Sequence, residues 1–377
     1  MRANRRATMI SALILLCVVL AGWLIIASRD DTPTDRGSPQ PPSIPSVPSG
    51  ETTPQQTLRW SYDMRDEVLA PALVVDDAVV LATHHGEVIA LSLDGHRRWE
   101  GTLSNGPGYG FGFDPLAASD GLVFATGQDT GLHAFDVASG RLAWRYKGLG
   151  ENTTGAQIAQ GRLFVAGSRG VTALDPRTGR QQWIIRLANL TPTVPALAGN
   201  TVIAQAQGVL IGLDARTGRQ RWSLPDGGSS VVVKGNVLYR TTTSHRRDRE
   251  VFAFSLSSGQ ELWTTPSKGL AFGTPLPDGD HLYTNDGLRL YCFEADTGRM
   301  LWRRRVSATP AVTRSLILHA GLIYVTNDRG VLALTAGDGV TKWRYEAGVE
   351  PYSLAINDDI AYLDVGSHLR AIDLPAK

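Results

Sequence analysis

The sequence predicts an all-β fold, an eight-bladed β-propeller whose N-terminal strand closes the last blade, preceded by one transmembrane helix. Three observations predict the propeller. Tryptophans recur at intervals of 39 to 45 residues, short apolar runs alternate with turn residues, and no segment from residue 60 onward has a sustained helical period. The recurring tryptophans are Trp60, Trp99, Trp144, Trp183, Trp222, Trp263, Trp302 and Trp343.

The first 27 residues are predicted to anchor the chain in a membrane. Residues 1–8 precede an uncharged run of 19 residues, 9–27, which is long enough to cross a bilayer as a helix. Arg2, Arg5 and Arg6 precede the run, and an excess of basic residues marks the cytoplasmic side of a membrane helix. We therefore expect a cytoplasmic N-terminus, a single-pass signal anchor in the plasma membrane, and an extracytoplasmic C-terminal domain.

Two other interpretations of the apolar run are a cleaved signal peptide and a lipoprotein signal that uses Cys17. A cleaved signal has a shorter apolar region and ends in small residues, whereas two isoleucines precede Ala27 here. A lipoprotein signal has small residues before its cysteine, whereas two leucines precede Cys17. The sequence therefore favours an uncleaved anchor.

The segment 28–57 is predicted to be a linker between the anchor and the propeller of residues 58–377. Its composition of proline and small polar residues cannot bury a core and favours an extended, semi-rigid chain. The prolines are Pro33, Pro39, Pro41, Pro42, Pro45, Pro48 and Pro54.

The bulk composition narrows the class of protein. The formal net charge of +1 gives no electrostatic footprint for nucleic acid, so no nucleic-acid partner is expected. Cys17 lies in the apolar run and Cys292 in a strand-like segment, so a disulfide framework is not expected. An apolar fraction of 42% and a charged fraction of 19% predict a folded body rather than a disordered chain.

The repeating unit is a β-hairpin that ends in a tryptophan, and residues 170–183, GVTALDPRTGRQQW, are its clearest copy. Asp175 can accept hydrogen bonds from backbone N–H groups further round the turn. Pro176 presets φ for the second turn position, and Gly179 suits the left-handed residue that closes the hairpin. Trp183 supplies a large apolar ring that can dock against a neighbouring sheet while its indole N–H finds an acceptor.

This unit resembles the PQQ-like propeller repeat, whose docking motif runs A-x-D-x-x-T-G-x-x-x-W. The resemblance covers about residues 58 to 374, and residues 173–183 fit the motif fully. A second copy fits with Gly212 in place of alanine, and a third with Ser139 in place of threonine. The resemblance implies that the eight tryptophans are structural docking residues between blades. Two other repeat families fit worse, because WD40 repeats place an aspartate after the tryptophan and Kelch repeats have a period near 50.

The ends of the repeat region predict how the ring closes. Seven hairpin units end in a tryptophan, and an eighth begins near Ser353 and reaches Lys377 without one. At the other end, residues 58–62 form a strand with Trp60 and no preceding hairpin. We expect this strand to complete the last blade, because that pairing removes an exposed sheet edge.

The family resemblance also raises the question of catalysis. Many PQQ-like propellers are quinoprotein dehydrogenases that hold the quinone with Ca²⁺ on the propeller axis, usually beside two adjacent cysteines. This sequence has no adjacent cysteines, no calcium ligands that its spacing assigns, and no triad, zinc-protease or P-loop pattern. We therefore expect a protein that is not an enzyme, with no cofactor and no metal site. The alternatives are a PQQ-dependent dehydrogenase and an extracellular small-ligand sensor.

Two segments are candidate interaction loops. The stretch 105–114 falls where the tryptophan spacing lengthens to 45, and its aromatic residues Tyr109, Phe111 and Phe113 are possible binding anchors. Arg246 and Arg247 lie in a charged hairpin tip. Packing over a blade edge and simple solvation are the alternative interpretations of these two segments.

His84 and His85 form a weak metal-binding pattern. Adjacent residues of a strand point to opposite faces of the sheet, so we expect no metal site there. With no catalytic pattern elsewhere, the function predicted from the sequence is a membrane-anchored, extracytoplasmic scaffold. Its expected partners are the cell membrane, through the N-terminal helix, and a protein or peptide bound by the propeller loops.

Overall fold

The computed structural model describes residues 58–66, 70–103, 116–127, 131–150, 154–187, 194–206, 209–225, 230–241, 249–267, 273–309 and 315–375. The predicted anchor at 9–27 and the predicted linker at 28–57 lie outside these residues, so both stay predictions. None of the described segments forms a helix with the length and hydrophobicity of a membrane span.

The described residues form eight antiparallel sheets of four strands each. In blades 1 to 4 the strands are β2 (Leu73–Val75), β3 (Ala78–Ala82), β4 (Glu87–Ser92) and β5 (Arg97–Thr102); β6 (Leu116–Ser119), β7 (Leu122–Gly127), β8 (Gly131–Asp136) and β9 (Leu142–Tyr146); β10 (Gln157–Ala159), β11 (Arg162–Gly167), β12 (Gly170–Leu174) and β13 (Gln181–Ile185); and β14 (Ala196–Ala198), β15 (Thr201–Ala206), β16 (Val209–Asp214) and β17 (Gln220–Pro225).

In blades 5 to 8 the strands are β18 (Ser230–Lys234), β19 (Val237–Thr241), β20 (Arg249–Ser255) and β21 (Glu261–Ser267); β22 (Leu276–Asp278), β23 (His281–Asn285), β24 (Arg289–Glu294) and β25 (Met300–Arg305); β26 (Leu316–His319), β27 (Leu322–Thr326), β28 (Gly330–Thr335) and β29 (Thr341–Glu346); and β30 (Ser353–Asn357), β31 (Ile360–Val365), β32 (His368–Asp373) and β1 (Leu58–Asp63).

The sheets are arranged in a closed ring. The first strand in sequence of each complete blade contacts the first strands of both neighbours, and the circuit closes where β30 of blade 8 meets β2 of blade 1. The first strands therefore surround the axis, and the fourth strands lie at the outer edge. The eight-bladed, all-β architecture predicted from the repeat is confirmed.

Blade 8 is built from both ends of the repeat region. Strand β1 pairs antiparallel with β32, with Trp60 opposite Ala371, Ser61 opposite Arg370 and Tyr62 opposite Leu369. The pairing continues past β1, where the N–H of Met64 donates to the carbonyl of Ser367 at 2.8 Å. Residues from the N-terminal side thus supply the fourth strand of the last blade.

The core lies between the blades rather than within them, because each sheet buries both faces against its neighbours. At the interface of blades 8 and 1, which we call the seam, Leu81 and Ile89 pack with Tyr362 and Leu369. The other clusters of buried apolar residues likewise join consecutive blades, as where Phe164 of blade 3 packs with Val202 of blade 4.

Strand direction gives the ring two unlike faces. The turns that join first to second strands and third to fourth strands lie together on one face, the turn face. The second-to-third turns and the connections between blades lie on the other, the connector face. Each first-to-second turn has two residues, and the first has a positive φ, as at Asp76 (52°), Asp120 (53°) and Asp358 (49°). Short polar residues tolerate this left-handed conformation.

Candidate functional site

The tryptophans join each blade to the next at the turn face. Five of them donate the indole Nε1–H to a backbone carbonyl of the third-to-fourth turn in the following blade. The pairs are Trp60 to Leu93 (2.8 Å), Trp99 to Val137 (2.7 Å), Trp144 to Pro176 (3.0 Å), Trp183 to Ala215 (3.1 Å) and Trp263 to Ala295 (2.9 Å). Each ring also covers a turn glycine. A Cβ on Gly140, for example, would lie 2.6 Å from the Trp99 ring.

Trp302 and Trp343 depart from this pattern in different ways. The Trp302 ring covers Gly339, but among the described residues its Nε1 has no partner. The Tyr283 hydroxyl donates to the Ala336 carbonyl at 3.1 Å, which is the position that a docking indole occupies elsewhere. Trp343 packs with Leu374 of blade 8, where the end of β32 and the start of β1 take the place of a third-to-fourth turn.

Trp222 is placed differently from the other tryptophans. Its ring lies over Gly212 of its own blade, where a Cβ would come within 2.2 Å of it. Leu224 occupies the position over Gly259 of the next blade that an indole takes in other blades. The physical reason is the missing side chain at Gly212, because the aligned Ala173 fills that space opposite Trp183. The copy of the motif that contains Gly212 therefore contacts the next blade through Leu224.

The described part of the chain has an open groove of about 520 Å³ at the outer edge of the seam, which we call the seam groove. Its floor is apolar, formed by Tyr62, Met64 and Ile89, and both Met64 (4%) and Ile89 (3%) are buried. One wall is the end of β1 and the residues that follow it, and the other is formed by β4 and β5 of blade 1. Its volume is in the range of small-ligand sites.

The wall contributed by blade 8 is fixed by local hydrogen bonds. Arg65 has a left-handed backbone (φ 57°), and its N–H donates to Asp63 Oδ1 at 2.9 Å. Asp66 Oδ2 accepts the backbone N–H of His85 at 2.8 Å and lies 2.8 Å from His85 Nδ1. The His85 contact therefore ties the connection after β1 to the second-to-third turn of blade 1.

The wall contributed by blade 1 is charged. Arg97 and Glu100 form an ion pair at 2.8 Å. Glu100 lies opposite Ile89 in the β4–β5 register, and Glu87 is two residues before Ile89, so all three share one face of the sheet. Across both walls, four carboxylates face two guanidinium groups, which leaves a formal charge of −2 when His85 is neutral.

The candidate interaction residues from the sequence lie outside the described part of the chain. Tyr109, Phe111 and Phe113 fall in 104–115, and Arg246 and Arg247 fall in 242–248, so their roles stay predictions. His84 and His85 are described, and they lie in a turn rather than on a strand. The expectation of opposite strand faces therefore does not apply to them, and His85 lines the seam groove. The sequence analysis did not predict this groove, and it considered the histidine pair only as a metal-binding pattern.

A calcium-bound quinone would need carboxylate or amide ligands gathered on the axis. Among the described residues, no group of three or more His, Cys, Asp or Glu side chains is placed to hold a metal ion. Cys292 is buried in the core of blade 6 with Leu290 and Trp302, rather than beside a second cysteine.

Known proteins place this chain in a family. The sequence matches the family model described as outer membrane protein assembly factor BamB over residues 53–158, 104–246 and 247–374. No curated protein matches the sequence.

Three solved structures share the fold. BamB from Moraxella catarrhalis is 18% identical with a TM-score of 0.64, and the match covers 85% of this chain and 98% of that chain. The computationally designed protein Ika8 is 11% identical with a TM-score of 0.67, covering 84% and 98%. Quinohemoprotein alcohol dehydrogenase from Comamonas testosteroni is 12% identical with a TM-score of 0.60, covering 85% and 78%.

At these identities the structural likeness shows the fold alone, since a BamB protein, a designed protein and a dehydrogenase share it. The family model is more specific, because its three matches together extend from residue 53 to residue 374. This chain belongs to the family of outer membrane protein assembly factor BamB, built from PQQ-like propeller repeats.

Proposed function

We propose that this protein is a non-catalytic scaffold that binds a partner protein outside the cytoplasm while an N-terminal helix holds it at the plasma membrane. The observation that carries the proposal is the family match across residues 53–374. The family takes its name from an assembly factor, and assembly is a task of holding other proteins in place.

The architecture suits such a role. Five pairs of consecutive blades are joined by an indole hydrogen bond of 2.7 to 3.1 Å, and a cluster of apolar side chains fills each of the eight interfaces between blades. A rigid ring presents its loops in fixed positions, and binding residues are found disproportionately on loops held by such scaffolds. A pre-formed surface loses little conformational entropy when a partner binds.

The membrane part of the proposal depends on residues 9–27. Nineteen uncharged residues suffice to span the hydrocarbon core, and the preceding arginines favour a cytoplasmic N-terminus. We expect the protein to stay in the membrane fraction after a high-pH wash with its N-terminal residues intact by mass spectrometry. A mature protein that begins after residue 27 would contradict the uncleaved anchor.

In-cell crosslinking followed by mass spectrometry tests the scaffold directly. We expect the full chain to give reproducible crosslinks from propeller residues to one partner protein. No protein crosslink, together with a small molecule that co-purifies with the propeller, would overturn the scaffold in favour of a ligand sensor.

A second experiment tests the absence of catalysis. The full-length protein in detergent is incubated with PQQ and Ca²⁺, and an alcohol and a sugar are supplied with a redox dye. We expect neither a retained quinone chromophore nor substrate-dependent dye reduction. Observation of both would replace the scaffold with a quinone-dependent dehydrogenase.

A further inference from the structure

We propose that the seam groove binds an extended segment of the partner protein that carries a lysine or arginine side chain. The inference rests on the proposed scaffold function and adds the place on the propeller and the chemistry of the partner. Three observations support it: the strands that flank the groove, its apolar floor, and the sign of its charge.

The flanking strands favour a peptide over a compact small molecule. Both β1 and β5 are the last strands of their sheets, so within the described part of the chain no strand pairs with their outer backbone N–H and C=O groups. Edge strands of this kind hydrogen-bond readily to an extended chain. An extended peptide at the groove can therefore pair with the outer edge of one of these strands while its side chains enter the groove.

The floor suits the aliphatic part of a long basic side chain. Ile89 and Met64 give a buried apolar surface, and the ring of Tyr62 lies beside them. Lysine and arginine cover such surfaces with their methylene groups while the charged end stays near water. A tyrosine ring also attracts a cation that lies over its face.

The negative charge of the groove favours a ligand with a positive charge. Arg97 neutralises Glu100, and Asp66 is engaged by His85, but no described residue forms an ion pair with Glu87. Glu87 is partly buried, on the same sheet face as Ile89. The cation of a bound side chain would lie between Glu87 and Glu100, with its stem on Ile89 between them. Fully exposed charges gain little from pairing, whereas a charge that is partly shielded from water gains more. We therefore expect the charge of the partly buried Glu87 to contribute most to binding.

The test uses the full-length protein in detergent and a fluorescein-labelled peptide, Gly-Arg-Gly-Arg-Gly, followed by fluorescence anisotropy. The acidic peptide Gly-Glu-Gly-Glu-Gly is the matched probe. We expect binding of the basic peptide alone. We expect Glu87→Lys to weaken it by about tenfold or more, since a favourable charge contact becomes a repulsive one. Glu87→Gln, which keeps the shape of the side chain, should weaken it in the same direction.

Two control variants separate the groove from the acidic surface in general. Glu261→Lys changes an exposed acid on the outer strand of blade 5, and Asp280→Lys changes an acid on the turn face. We expect each to change the affinity by less than about twofold, as remote exposed charges do. Equal losses in all three lysine variants would show non-specific attraction to acidic surface and would overturn the groove. If Glu87→Lys does not fold, the comparison of Glu87→Gln with Glu261→Gln decides in its place.

A photocrosslinker at position 62 links the peptide result to the partner. With p-benzoylphenylalanine in place of Tyr62, we expect capture of a segment of the partner that contains lysine or arginine, and none from the same group at position 261. If crosslinking elsewhere on the propeller captures a partner while position 62 and the Glu87 variants have no effect, the groove is excluded and the scaffold stands. If no partner is captured at any position, the scaffold fails and the peptide titration still decides the groove.

Discussion

Asp364 is a carboxyl group buried in blade 8 near the seam. It is 1% exposed, its Oδ2 contacts the Ser353 hydroxyl, and no described residue forms a hydrogen bond with its Oδ1. Burial raises the pKa of this carboxyl well above its usual range, because the charged form would lose its hydration. The folded protein therefore keeps Asp364 protonated at pH values where an unfolded chain would ionise it.

This raised pKa makes stability depend on pH in a defined direction. The folded state binds one more proton than the unfolded state between the ordinary aspartate pKa and the raised one, so stability falls as the pH rises through that window. Asp364→Asn keeps the shape and removes the titration. In thermal melts we expect the Tm of Asp364→Asn to increase relative to the Tm of the parent protein as the pH rises from about 5 to about 8.

The exposed Asp359 on the same blade is the control, and Asp359→Asn should show no such trend. A Tm difference between Asp364→Asn and the parent that stays constant with pH would contradict the buried, protonated state.

Gly212 decides where the Trp222 ring lies. The sequence showed glycine in place of alanine at this position, but the repeat pattern alone could not show that the ring would move onto its own blade. That movement depends on how a side chain uses the space of an absent Cβ, which is a packing effect with no repeat signature. The tryptophan pattern therefore predicted the blade number and missed the exception.

The two residues give a direct prediction. Gly212→Ala places a Cβ 2.2 Å from the Trp222 ring and should destabilise the protein by about 1–3 kcal/mol, the usual cost of overpacking. Gly337→Ala is the control, because nothing lies within 4 Å of its Cβ position. Chemical denaturation of the full chain measures both. Equal effects of the two substitutions would show that the Trp222 ring does not lie on Gly212.

At the scale of elements, the third-to-fourth turn is the unit that connects neighbouring blades. Asp175 Oδ1 accepts from the N–H of Arg177 (3.0 Å), the N–H of Thr178 (2.9 Å) and the Thr178 hydroxyl (3.0 Å). The Thr178 side chain and then its backbone N–H hold the pKa of Asp175 below its usual range. The turn fixed in this way presents the Pro176 carbonyl to Trp144 of the preceding blade.

Loss of this carboxylate should destabilise both the turn and the contact of Trp144 with the Pro176 carbonyl. We expect Asp175→Ala to cost about 1–2 kcal/mol in chemical denaturation, because several backbone donors lose their acceptor at once. Asp296→Ala is the matched control. Asp296 is exposed in the equivalent turn of blade 6 and makes no hydrogen bond within the described residues. A loss no larger for Asp175→Ala than for Asp296→Ala would show that the turn does not depend on its aspartate.

The hairpins were predictable from the sequence because their turn chemistry is local. Positions such as Asp175 and Gly179 act through backbone groups a few residues away, so a single copy of the motif defines the element. The seam groove was not predictable in this way. Tyr62 and Glu87 are only 25 positions apart in the chain, but they face each other only because β1 belongs to blade 8 rather than to the blade that follows it.

At the scale of the whole molecule, the central claim is that the two ends of the repeat region share one sheet. Closure removes the free edge that β32 would otherwise expose, and it forms both the seam core and the seam groove. The hydrogen bond from Trp60 to Leu93 of blade 1 depends on this closure as well, because Trp60 lies on β1. Fold and proposed binding site therefore depend on the same strand pairing.

The most direct test of this claim is a crosslink between the two ends. Ser61 and Arg370 are register partners on β1 and β32, so Ser61→Cys with Arg370→Cys places two thiols across one strand pair. Oxidation or a short bis-maleimide should join them within one molecule, as mapped by mass spectrometry of the linked peptides. The pair Ser61→Cys with Asp296→Cys, on blade 6, should not link. Cysteines at 61 and 370 that stay unlinked, or that link only between two molecules, would contradict the closed ring.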